Sequence, residues 1–112
     1  MRFENNMPNT FSALGDPTRL SIVERLITNG EISAGEIASD LPISAPAVSR
    51  HLKVLTDTGL ILRRIDRQKR MYRANPDAVR AIDRWTGSHR AFWEASIDRL
   101  QAAVEAEEDR NV

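Results

Sequence analysis

Apolar residues along this chain recur three and four positions apart in several stretches, give way to a short mixed segment, then resume helical spacing. A short first helix is predicted from Pro8 to Leu14, with Phe11 and Leu14 on one side. Gly15-Asp16-Pro17 breaks it and starts the next, Asp16 as N-cap and Pro17 at the first helical position. Leu20, Val23, Leu26 and Ile27 carry that helix to Thr28, where Asn29-Gly30 closes it. Ser33, followed by Glu36, forms a capping box for a third helix ending at Leu41, with Ile37 and Leu41 buried and Pro42 as the stop. Ser44 caps a fourth helix with Pro46 in its first turn; it ends at Thr58, with Gly59 in the left-handed position. Residues 60–65 and 69–74 read as a β-hairpin around a polar tip at Asp66-Arg67-Gln68. Asn75-Pro76 then caps one long final helix, from Asp77 to Glu107. Its stripe is Val79, Ile82, Trp85, Phe92, Trp93, Ile97, Leu100 and Val104, with Gly87 as the point for a bend. The acidic end EAEEDRNV is expected to fray.

The fourth helix carries the chemistry. At about 100° per residue, Val48, Leu52 and Leu55 lie together, with Ala45 near them. The opposite face shows Pro46, Ser49, Arg50, Lys53 and Asp57. Two helices joined by about three residues make a helix-turn-helix, and its second helix can enter a major groove, where arginine pairs bidentately with guanine and serine bonds bases or phosphates. The predicted fold is mainly α with a small β-hairpin wing: a winged helix-turn-helix. The candidate DNA contacts are Ser44, Pro46, Ser49, Arg50, His51 and Lys53 on the helix, and Arg64, Arg67, Lys69 and Arg70 on the wing. His51 sits at the edge of the apolar face, where it could bond backbone or phosphate. Arg63, Arg64, Arg70 and Arg73 alternate along the strands, so only some can face DNA, and Tyr72 is expected in the core.

Net charge changes that picture only when it is mapped. The 112 residues balance 16 cations against 16 anions. Residues 44–74 nevertheless hold eight cations and two anions, a net +6, and each flank carries −3. Half the cations in 31 residues make a binding face rather than a solvated run. With no cysteine, disulfides, thiolate metal sites and thiol switches are excluded. Two scattered histidines and five scattered glycines supply neither a catalytic constellation nor a phosphate-cradling loop, so an enzyme is not expected. No apolar run approaches the roughly 20 residues of a membrane span and the first residues lack a signal-peptide core, so a cytoplasmic location away from membranes is expected.

Three segments together resemble a known family. ALGDPTRLSIVERL (13–26), GEIASDL (35–41) and ISAPAVSRHLKVLTDTGLI (43–61) with its wing look like the ArsR/SmtB winged-helix repressors, a resemblance covering about residues 10–74. Length and pattern together predict a single domain over residues 1–112, with the helix-turn-helix at 33–58 and the wing at 60–74, and the resemblance adds an assembly. Helices 8–14 and 76–107 would form a homodimer that binds a pseudo-palindromic double-stranded operator. Where metal-sensing relatives place a Cys-x-Cys pair, this chain has Ser33 and Gly35. A second metal site of the family needs paired Asp/His and His/Glu on the last helix, and only His89 is present, with Asp83 and Glu94 off the paired spacing. The stretch WTGSHRAFWEASIDRLQA (85–102) looks like a subgroup without metal ligands, so no cofactor or metal is expected.

Phe11, Leu14, Trp85, Phe92, Trp93 and Leu100 are the candidate dimer interface. An alternative use of those aromatics is a hydrophobic effector pocket lined by Phe11, Trp85 and Phe92, although no particular small molecule is implied. A winged-helix anti-repressor that binds protein is a further alternative; it would call for a neutral or acidic recognition helix, against Arg50 and Lys53.

Overall fold

Capping chemistry sets most of the helix starts. The computed structural model describes residues 6–111. Helix α1 spans Met7–Leu14, and helix α2 spans Pro17–Asn29. The Asp16 carboxylate accepts the backbone N–H of Arg19 at 3.0 Å, satisfying one of the donors that open α2. Strand β1 is only Ile32–Ser33 and runs straight into α3, Ala34–Ser39, where Ser33 Oγ accepts the N–H of Glu36 at 3.2 Å. Ser44 Oγ does the same for Ala47 at the start of α4, Ala45–Thr58. At its other end Gly59 takes a left-handed φ of 85°, and the N–H groups of Gly59 and Leu60 bond the carbonyls of Thr56 and Leu55, both at 3.0 Å. Strands β2 (Ile61–Asp66) and β3 (Lys69–Ala74) follow, then α5 (Pro76–Ser88) and α6 (Arg90–Arg110). No helix among the described residues is long and apolar enough to cross a membrane.

The chain divides after Ala81 into two compact units. In the first, the core joins Ile22, Val23 and Leu26 of α2, Ile37 of α3, and Val48, Leu52 and Leu55 of α4. Leu60, Ile61 and Tyr72 close it at the base of the hairpin, with Ala78 and Ala81 of α5. Burying a side chain such as Leu55 contributes about 1.5–3 kcal/mol, which is what fixes α4 on the body. Asn75 ties the hairpin to the helix that follows: its Nδ2 donates to the carbonyl of Gly59 at 2.9 Å, and its Oδ1 accepts the N–H of Asp77 at 3.1 Å.

Several expectations need correction. The hairpin is not alone: β1 pairs antiparallel with β3, giving a three-stranded sheet of order β1-β3-β2. The third helix stops at Ser39 rather than Leu41: Asp40 closes it with its N–H turned to the Ala38 carbonyl, Pro42 disfavours a helical Leu41, and Leu41 is only half-buried. In α2, Leu20 and Ile27 are 40% and 53% exposed, and Ile22 takes the core position instead. Ile22, Val23 and Leu26 centre the inward face, and Leu20 and Ile27 lie about 100° around the helix from it. Ala45, in the first turn of α4, is exposed.

The second unit, residues 82–111, corrects the long final helix. It breaks at His89, two residues past Gly87. There Ser88 Oγ donates to the Trp85 carbonyl at 3.0 Å, and His89 Nδ1 lies 2.8 Å from the same oxygen. These side chains compete with the helical ladder for that carbonyl. The His89 ring stacks on Trp85, with centroids 4.4 Å apart. The acidic end does not fray as expected, since α6 continues to Arg110. No residue of α6 is buried; Phe92, Trp93, Ile97, Leu100 and Val104 are all about half exposed or more.

Candidate nucleic-acid interface

Helix α4 presents its inward face to the core, so its other side is free. Ser44, Pro46, Ser49, Arg50 and Lys53 are all exposed. Ser44 Oγ is engaged in capping, whereas Arg50 forms no ion pair among the described residues. Lys53 Nζ pairs with Asp57 Oδ2 at 2.8 Å one turn on; with both side chains largely exposed, that pair is weak and exchangeable. His51 is turned inward. Its Nδ1 lies 3.8 Å from Asp16 Oδ2 and 3.4 Å from Arg19 Nη1. Arg19 also donates from Nε to the Ala13 carbonyl at 2.7 Å, so this cluster joins α4 to the α1–α2 corner. The Arg19 N–H, with help from the His51 and Arg19 charges, holds the Asp16 carboxyl below its usual range against partial burial.

The hairpin's register sorts its arginines. Arg63 stands opposite Tyr72, and Ile65 opposite Arg70, so Arg63 and Arg70 share one face. Arg64 stands opposite Met71, Leu62 opposite Arg73, and Asp66 opposite Lys69, all on the reverse face. The first face turns toward α4: Arg63, Arg70 and Tyr72 line an open concavity with Ser49, Lys53, Thr56 and Asp57. Arg63 therefore joins the candidate site, although the alternation of arginines alone does not single it out. Tyr72 was the usable signal, since the strand position paired with a core tyrosine must share its face. Tyr72 itself is buried, as expected.

Arg64 is engaged elsewhere. Its Nε donates to Glu31 Oε2 at 2.8 Å, and its Nη2 donates to Glu31 Oε1, a fork-on-carboxylate pair. Those hydrogen bonds hold the Glu31 carboxyl below its usual range and Arg64 above its own. At the tip, Arg67 adopts a left-handed φ of 60°, where a β-carbon is crowded. Lys69 follows it, exposed. Among the described residues, no three of the His, Cys, Asp and Glu types gather as a metal site would require. Ser33 is spent on capping α3, and Gly35 is exposed in its first turn.

Comparison with known proteins agrees with this geometry. A helix-turn-helix domain family matches residues 14–64. The HTH-type transcriptional regulator Rv2034 of Mycobacterium tuberculosis is 39% identical over 99 residues, covering 88% of this chain and 89% of that protein. The arsenical resistance operon repressor of Escherichia coli is 34% identical over 98 residues, covering 84% of this chain and 78% of its own length. The chain belongs to the ArsR family of helix-turn-helix transcriptional regulators. Among solved structures, the ArsR-like transcriptional regulator from Rhodococcus sp. RHA1 superposes with a TM-score of 0.68 at 28% identity, over 84% of this chain and 88% of that one. As an ArsR-family regulator the protein is a DNA-binding repressor.

Proposed function

We propose that this ArsR-family protein represses transcription as a homodimer, setting two copies of α4 in successive major grooves of a pseudo-palindromic operator. Arg50 reads base edges, with Ser49 beside it, and Lys53, Arg63, Arg70 and Arg67 grip the phosphates on either side. The convergence of Ser49, Lys53, Arg63 and Arg70 on one concavity between helix and wing carries this reading.

Helix α6 supports the dimer. Trp93, Ile97, Leu100 and Val104 follow one another at spacings of four, three and four, the seam of a helix that pairs with another. With Phe92 they leave a row of large apolar side chains outside any core, a pattern that marks an association surface. Phe11 and Leu14 of α1 are further candidates for that interface, as is Trp85. Release from DNA is independent of thiolate chemistry, because the chain has no cysteine.

The test is stoichiometry on DNA. Sedimentation should give a dimer in solution and two chains per operator taken from upstream of the protein's own gene. Leu100→Asp should yield a monomer that binds the same DNA far more weakly. A wild-type monomer binding one chain per site would overturn the proposal.

A further inference from the structure

The outer half of the wing projects from the body. Below it, Leu60, Ile61 and Tyr72 are buried, but every residue from Arg63 to Arg70 is exposed. On its outer side the hairpin has only the two-residue strand β1, paired through Ile32 with Tyr72 and Ser33 with Met71. Arg63 and Arg70 therefore ride on an exposed arm, and its angle to α4 depends on the ties at its root. Arg64 lies at the root of that arm, on the edge strand β2, while Glu31 lies just before β1 at the opposite edge. The Arg64–Glu31 fork crosses over β3 and joins the two edges of the sheet. Its planar geometry fixes direction as well as distance. The Glu31 side chain is only 24% exposed, so the carboxylate is seated in the body while its partner belongs to the wing.

We propose that Glu31 is a positioning residue for DNA binding: through Arg64 it sets the wing at the angle that keeps Arg63 and Arg70 beside α4. The inference rests on the DNA-facing reading of that concavity. It also has a distinctive sign. Removing an acid next to a basic surface should, by charge alone, strengthen binding to a polyanion. Loss of positioning should weaken it.

Glu31→Gln, measured by fluorescence anisotropy on the operator, is expected to bind roughly three- to tenfold more weakly, the scale of one lost hydrogen bond of ordinary strength. The exchanged pair, Glu31→Arg with Arg64→Glu, should recover most of that loss. In the Glu31→Gln background, Arg63→Ala should cost less than it does in the wild type, because Arg63 is already displaced. Binding by Glu31→Gln that equals or exceeds wild type overturns the proposal, as does full additivity with Arg63→Ala. If Arg63→Ala is itself silent in the wild type, the wing reading fails instead, so the two failures are distinguishable.

Discussion

Arg63 and Arg73 offer a direct test of which hairpin face meets DNA. Both are exposed arginines of the same hairpin, so replacing either with alanine removes one positive charge from nearly the same place. The register separates them: Arg63 opposes Tyr72 on the face toward α4, and Arg73 opposes Leu62 on the reverse face, near Glu31. A cation that neutralises a phosphate contributes about 0.9 to the slope of log affinity against log salt. Between about 50 and 200 mM salt, a fourfold change, that contact accounts for roughly a 3.5-fold loss of affinity. Arg63→Ala should therefore flatten the slope by about 0.9 and bind less tightly at the low-salt end, whereas Arg73→Ala should leave the slope near that of wild type. Neither should move thermal stability by more than about 0.5 kcal/mol, since both lie on the surface. The assay is anisotropy of a labelled operator across that salt range, with a melting curve for each variant. Equal slopes for the two variants would refute the register argument. A flatter slope for Arg73→Ala alone would mean the reverse face meets the DNA.

Arg67 and Asp16 give two further expectations. Glycine adopts the left-handed conformation of Arg67 without crowding, so Arg67→Gly should stabilise the hairpin by about 1 kcal/mol. The same change should weaken binding to all DNA sequences alike, seen as a raised melting temperature beside a lowered affinity; unchanged affinity would remove Arg67 from the interface. The folded state holds Asp16 below its ordinary value of 3.8, so its stabilising effect is present above that pH and is lost as pH falls through the lowered value. Asn caps helices nearly as well as Asp but does not titrate. Asp16→Asn should then show a shallower fall in urea midpoint below about pH 4 than wild type, and parallel acid limbs for the two proteins would contradict the assignment.

Much of the first unit was legible because its signals are local. Asp16 with Arg19, Ser33 with Glu36 and Ser44 with Ala47 each close a helix start within three residues, and Gly59 ends α4 where the pattern placed it. What escaped depended on distant partners. Strand β1 is two residues long, too short for any alternation, and exists only because β3 lies beside it. Likewise Glu31 shows no motif; its partner is 33 residues away. The break at His89 is local, yet the apolar stripe runs on across it, so hydrophobic spacing had no means to record it.

The charge map shows how structure refines a composition argument. Residues 44–74 hold eight cations, which read together as one basic face. The fold divides them by partner and direction. Arg64 is consumed by Glu31, Lys53 is shared with Asp57, and Arg73 lies on the hairpin's reverse side, whereas Lys69 at the tip lines a concavity with Ser49 of α4. Arg63 and Arg70 remain on the α4 side, Arg50 stands on the helix and Arg67 at the tip. A cation already paired with a carboxylate must give that partner up before it gains a phosphate, so its net contribution to DNA binding is smaller than its formal charge implies. The two pairs are not equivalent in this respect. Lys53 can exchange Asp57 for a phosphate at little cost, because both side chains are solvated and flexible. Arg64 is held by two hydrogen bonds to a carboxylate seated in the body, and that arrangement suits a brace better than a contact.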